Sequence, residues 1–244
     1  MKKLKVLLIL LLLLSSISCT KRKNISFSIG YNNEWENIVT NGQSANLNGF
    51  FQDLFIKIAR DSNHNISLIN TNNNDLLNGL KNHKYGSVLS NMQMYNFNLA
   101  KFDFSKNILD IGYVLIVEKD SSYKTIDDLF QKHIGYISDD ALYDVLQKYE
   151  VFAEKYANIP NGFKDLEDNQ IDAFLLPIII ARKYIEDNYY NTLKILKSPV
   201  SDEAIRIITL KNQNLKILKI IDFYIEKYKK NGELKKLIDK WSLN

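Results

Sequence analysis

Between residues 25 and 90 the sequence changes its hydrophobic period at every element, and this restricts the fold more than any other feature. ISFSIGY at 25–31 is strand-like. Residues 49–62 place Phe51, Leu54, Phe55 and Ile58 at i, i+3, i+4 and i+7, the stripe of a helix with one buried face. A strand at 66–70, a helix at 75–82 carrying Leu76, Leu77 and Leu80, and a strand at 87–90 follow. A β-α-β-α-β order predicts a parallel sheet covered on both faces. A second alternation runs through strands at 112–118, 134–136, 171–176, 193–196 and 205–210, with helices at 125–130, 141–147, 163–168 and 178–186 between them. Thr125 and Asp128 stand at capping-box spacing. Two helices, 215–229 and 233–241, close the chain, parted by the helix-stop dipeptide Asn231-Gly232. No repeat, long linker or Pro/Gly-rich seam divides the sequence. The pattern alone fits either two α/β lobes joined by more than one crossing or a single doubly wound domain.

Residues 1–18 predict an export leader rather than part of the fold. Lys2, Lys3 and Lys5 form a basic start, and 6–14 is an unbroken apolar run too short for a usual membrane span. Small residues then precede Cys19, the only cysteine in the chain, with a polar tether at 19–23 behind it. This arrangement resembles a bacterial lipoprotein cleavage site and implies that Cys19 becomes the lipidated first residue. An exported chain with no disulfide must be stabilised by core burial, and about 225 mature residues suffice for that. The formal charge of +4 includes the three leader lysines, leaving about +1 on the mature body, so the basic balance points to no nucleic-acid partner.

The segment GSVLSNMQMYNFNLAKFDFS at 86–105 reads as a buried strand, a polar turn and a short return strand ending in Phe104-Ser105. With it come Gly49-Phe50 followed by Asp53-Leu54, LLNGLKNHKY at 76–85, TIDDLF at 125–130, NQIDAF at 169–174 and NGELKKLIDKW at 231–241. In this order and spacing they resemble the family 3 extracytoplasmic solute-binding proteins, the amino-acid receptors of ABC importers. The resemblance covers 25–241. It implies an α/β, two-lobed type II periplasmic-binding-protein fold, each lobe a mixed sheet flanked by helices and joined by a hinge. Lobe one would be 24–111 plus 202–244 and lobe two 112–201, with hinges at 110–112 and 200–206.

In this family an arginine holds the ligand α-carboxylate, a Gly-Thr at a lobe-two helix start adds donors, and an aspartate after the last lobe-two strand takes the α-ammonium. Here Asn98 stands at the arginine position, Gln93 at a threonine that assists it, Ser138, Asp139 and Asp140 over the Gly-Thr segment, and Pro177 at the aspartate. Trp35 takes the place of a stacking aromatic, Asn32 that of a nearby acid and Asn73 that of a second aromatic; Asn91 lies in the turn. A buried carboxylate left without its charged partner costs about 3–5 kcal/mol, and a carboxylate of like charge nearby adds repulsion. The expected cleft, Asn32, Trp35, Asn73, Asn91, Gln93, Asn98, Ser138, Asp139 and Asp140, therefore suits a neutral polar or cationic solute. Amides both donate and accept, and an indole face attracts cations.

The resemblance implies a lipid-anchored, extracytoplasmic monomer that passes a small solute to an ABC permease in the membrane. The alternative is a lipoprotein of this fold that has become an envelope interaction or sensor module. No cofactor, metal or catalysis is expected. His64, His83 and His133 are scattered over loops, there is no nucleophile elbow, and the glycines are dispersed singly.

Overall fold

The computed structural model describes residues 24–33, 44–137 and 140–243. Its first lobe is built on a six-stranded sheet: β1 (Ser26–Tyr31), β2 (Asn65–Asn70), β3 (Ser87–Ser90), β4 (Phe102–Phe104), β5 (Leu109–Asp110) and β11 (Ala204–Leu210). The strand order is β2-β1-β3-β11-β4, and β5 pairs with the first residues of β11. β1, β2 and β3 run parallel, as the alternation requires, while β11 is antiparallel to β3, β4 and β5. The sheet is therefore mixed.

Alternate residues of the central strands feed two separate cores, the period-2 consequence of pleating. Leu89, Ile205 and Ile207 face helix α1 (Ser44–Ser62), whose Phe50, Phe51, Leu54, Phe55 and Ile58 are all fully buried. They also meet α7 (Leu215–Lys230) through Ile217, Ile221 and Ile225. Val88 and Ile208 face the other way, onto Leu76 and Leu80 of α2 (Asn73–Lys81) and onto Tyr85 and Phe102. Asn72 caps α2 by accepting the Asp75 N–H at 2.9 Å.

The C-terminal helix α8 (Glu233–Lys240) is strapped back onto α1. Trp241 Nε1 donates to Asp53 Oδ2 at 2.9 Å, and its ring lies where a Cβ on Gly49 would be, 2.2 Å away. Gly49 is thus required by close approach. The Asn231-Gly232 stop is observed, with Gly232 in the left-handed region at φ 79°.

The second lobe is a five-stranded sheet of order β10-β6-β9-β7-β8: β6 (Tyr113–Glu118), β7 (His133–Ile137), β8 (Phe152–Tyr156), β9 (Ala173–Pro177) and β10 (Leu193–Ile195). β7, β8 and β9 are parallel; β6 and β10 are antiparallel to their neighbours. The helices are α4 (Asp140–Gln147), α5 (Ile159–Glu167) and α6 (Ile178–Tyr184), which runs on into a π turn at Ile185–Tyr189.

Several expectations are corrected. α1 begins at Ser44 instead of 49, and α5 at Ile159 instead of 163. Residues 125–130 hold one 3-10 turn, Ile126–Leu129, whose Asp128 reaches back to the Thr125 N–H at 3.0 Å. β8 was not anticipated; it is an edge strand pairing only with β7, and edge strands carry the weakest apolar pattern. The polar turn after β3 contains a short helix, α3 (Asn96–Leu99).

The chain passes between the sheets twice, from β5 to β6 and from β10 to β11. The two passages touch. Ile111 N donates to Glu203 O at 2.9 Å, Val200 N to Tyr113 O at 2.8 Å, and Tyr113 N to Ser201 Oγ at 2.9 Å. Gly112 is the point of closest approach: a Cβ there would stand 2.4 Å from the Ser201 carbonyl oxygen. Gly112→Ala must push the passages apart, and should cost about 1–3 kcal/mol in urea unfolding. An unchanged midpoint would show that the crossing has slack.

Candidate ligand cleft

Sheet register locates the cleft. Ser90, the last residue of β3, pairs with Arg206 near the start of β11, beside the second passage. Pro177, the last residue of β9, pairs with Tyr113, the first of β6, beside the first passage. The carboxyl ends of both parallel strand sets therefore abut the same double crossing. In open α/β sheets ligands bind at such carboxyl edges.

On the first lobe this edge carries the tip of β1, the start of α2 and the turn after β3. Asn32 is buried at the end of β1, and Asn73 is the first residue of α2. Asn91 is exposed and Gln93 half-buried; the side-chain amides of both have no partner among the described residues. Asn98 lies on α3 and is half-buried, but its Nδ2 donates to the Gln93 carbonyl at 2.8 Å. That amide staples its own turn. The structure thus brings Asn91, Gln93 and Asn98 onto one short segment, with Asn32 at a strand end of the same edge.

On the second lobe Asp140 opens α4, following β7. Pro177 is buried at the end of β9, and the Ile178 N–H donates to the Gly112 carbonyl at 2.9 Å, so this strand end is tied to the crossing. Trp35, Ser138 and Asp139 lie outside the described residues, as do Cys19 and the leader predicted at 1–18. Among the described residues no three His, Cys, Asp or Glu side chains are grouped to hold a metal. His64 lies edge-on to Phe27, His83 sits exposed at φ 55° where the family has a turn glycine, and His133 pairs with Glu154.

Sequence reasoning missed Arg206. It is 3 % exposed at the crossing. Its Nε donates to Asn107 Oδ1 at 2.8 Å, Nη2 to the Asp202 carbonyl at 3.1 Å and Nη1 to the Ala204 carbonyl at 3.3 Å. Asn107 in turn donates to Asp110 Oδ1 at 2.8 Å. Burial pulls the Arg206 pKa down while the Asp202 and Asp110 charges push it back up. The sequence signal was present: a lone cation inside the otherwise apolar AIRIITL.

Two α/β lobes hinged on a double crossing, with parallel strand ends abutting it, define a bilobal solute-binding protein. Residues 27–244 match the model for bacterial extracellular solute-binding proteins, family 3, and the chain belongs to that family, one of binding and not of catalysis. It is 22% identical over 200 residues to the arginine-binding extracellular protein ArtP of Bacillus subtilis, covering 80% of this chain and 78% of that one. It is 25% identical over 254 residues to the ABC transporter arginine-binding protein 1 of Escherichia coli, covering 99% of both. In fold it is similar to the L-cystine solute receptor of Neisseria gonorrhoeae in its unliganded open conformation. That match has a TM-score of 0.65 at 18% identity and covers 90% of this chain and 93% of that one.

Arg206→Met should leave Asn107 Oδ1 and two carbonyl oxygens without donors at the crossing, costing about 1–3 kcal/mol. Urea unfolding measures this. A loss below about 0.5 kcal/mol would mean that water replaces the guanidinium freely.

Proposed function

We propose that this protein is a lipid-anchored extracytoplasmic receptor of an ABC importer. It captures a small neutral polar or cationic solute between its lobes and delivers it to a membrane permease. Lobe one comprises 24–111 and 202–244, lobe two 112–201, and closure bends the chain at 110–112 and 200–206. Lipid attached at Cys19 holds the monomer to the membrane. The two curated relatives named above, both arginine-binding proteins, support the transport role.

The observation that carries the solute class is Asn98. At the position of the family's carboxylate-binding arginine, a half-buried amide is committed to the Gln93 carbonyl of its own turn. No bidentate cation is available there. Pro177, at the position of the ammonium-binding aspartate, offers no polar side chain and is itself buried. With both charged devices replaced, a free α-amino acid in the family's usual pose loses its anchors at each end. At about 3–5 kcal/mol for an unpartnered buried charge, that is a loss of hundreds to thousands-fold in affinity. Amides at Asn32, Asn73, Asn91 and Gln93, the Trp35 indole and the acidic Asp139-Asp140 pair favour a solute without a free α-carboxylate.

A thermal-shift panel of glutamine, glutamate, arginine and histidine tests this. None should stabilise the protein through the cleft. Saturation at about a hundred times Kd would add about 2.7 kcal/mol, several degrees in Tm. A shift of that size, abolished by Trp35→Ala, would overturn the proposed solute class.

A further inference from the structure

A cavity of about 460 Å³ lies at the crossing, and none of the expected cleft residues among those described lines it. Both lobes build its walls. Asn107 and Asp110 come from the first, Val114 and Ile178 from the second, and Leu196, Lys197, Pro199 and Ser201 to Glu203 from the passage between them. Its volume is within the range of small-molecule sites.

Arg182, on α6, is half-buried in this cavity, and its guanidinium has no hydrogen-bond or ion-pair partner among the described residues. The other arginine at the crossing, Arg206, makes three hydrogen bonds. The Asp110 charge acts on it from across the cavity, but its five donors, held in a fixed fork, make no hydrogen bond there and are suited to a carboxylate. Asp110 and Glu203 line the same cavity. Each already accepts one neutral hydrogen bond, from Asn107 Nδ2 and from Ser201 Oγ, both at 2.8 Å, and neither is paired with a cation. Asp202 and Lys197 complete the charged lining. Three carboxylates against two cations disfavour a bare anion. Between the charged groups the walls are Val114, Ile178 and Leu196. A molecule that satisfies all three features carries a carboxylate, an ammonium and a compact apolar body.

We propose that the hinge cavity is a second ligand site, separate from the interlobe cleft, for a small apolar zwitterion whose carboxylate pairs with Arg182 and whose ammonium faces Asp110 and Glu203. Because its walls come from both sides of the crossing, an occupant couples to lobe closure. Any bending at 110–112 or 200–206 changes the cavity's shape.

L-Leucine is the probe, with 4-methylpentanoate and 3-methylbutylamine as its two half-ligands. Calorimetric titration into the purified full-length protein should give saturable leucine binding, with each half-ligand at least tenfold weaker. Arg182→Gln should weaken leucine at least tenfold, and Asp110→Asn should weaken leucine while leaving 4-methylpentanoate binding no weaker. Trp35→Ala, at a position proposed for the cleft, should leave leucine binding intact. Should Arg182→Gln fail to fold, amide chemical-shift changes in the wild type should centre on residues 110–114 and 196–203. Absence of saturable leucine binding overturns the proposal. So does binding that survives Arg182→Gln, and so does binding lost in Trp35→Ala, which would place leucine in the cleft.

Discussion

The contact between the two passages of the chain is the constraint on which the rest of the structure depends. β3 and β9 supply the candidate ligand edges, and each is paired to the strand that enters or leaves a passage, through Ser90 with Arg206 and Pro177 with Tyr113. If the passages separated, the two edges would no longer abut one crossing. Arg206 supplies much of the adhesion, because one side chain satisfies carbonyls of the second passage and, through Asn107, reaches the loop leading into the first. A lysine could not do this. Its ammonium is a point charge, whereas the guanidinium fork spans three acceptors.

Most of the fold was legible because the landmarks in the sequence are contacts in the structure. Gly49, Asp53 and Trp241 look like separate motif fragments nearly two hundred residues apart. In three dimensions they form one junction, with the indole over the glycine and bonded to the aspartate. Tyr85 closes a similar junction: its ring fills the space above Gly30 and Gly79, and its hydroxyl donates to the Leu76 carbonyl at 2.6 Å. Ser105 accepts from Ile207 N at 2.9 Å and so ties the end of β4 to β11. Asp172 of NQIDAF accepts the His133 N–H at 3.0 Å and pairs with Lys132 at 3.2 Å, joining β9 to the start of β7. Each landmark needs a particular residue because a close approach or a buried donor leaves no substitute.

What was not legible had weak local pattern or depended on distant partners. β8 reads FAEKY, with polar residues on an edge, and hydrophobic periodicity hardly registers it. The π turn after α6 is set by Phe163, which stacks on Tyr184 and Tyr189 with ring centroids 5.1 and 4.6 Å apart. No property of residues 185–189 alone announces that. The candidate cleft was legible as positions rather than as geometry. The family frame locates Asn98, but only the structure turns its amide onto Gln93. Arg182 carried no signal on its amphipathic helix, and its setting arises where three separated segments meet.

In the proposed reading the two lobes keep the double crossing of a solute receptor, while Asn98 and Pro177 stand where the family resemblance places its charged ligand groups. Scaffold and ligand chemistry can diverge in this way because they rest on different residues. The most direct measurement is native mass spectrometry of the protein isolated from its own cells without unfolding. A small polar or cationic solute without a free α-carboxylate should co-purify with the wild type and be absent from Trp35→Ala. A free α-amino acid bound to the wild type and lost in Trp35→Ala would contradict the proposed solute class.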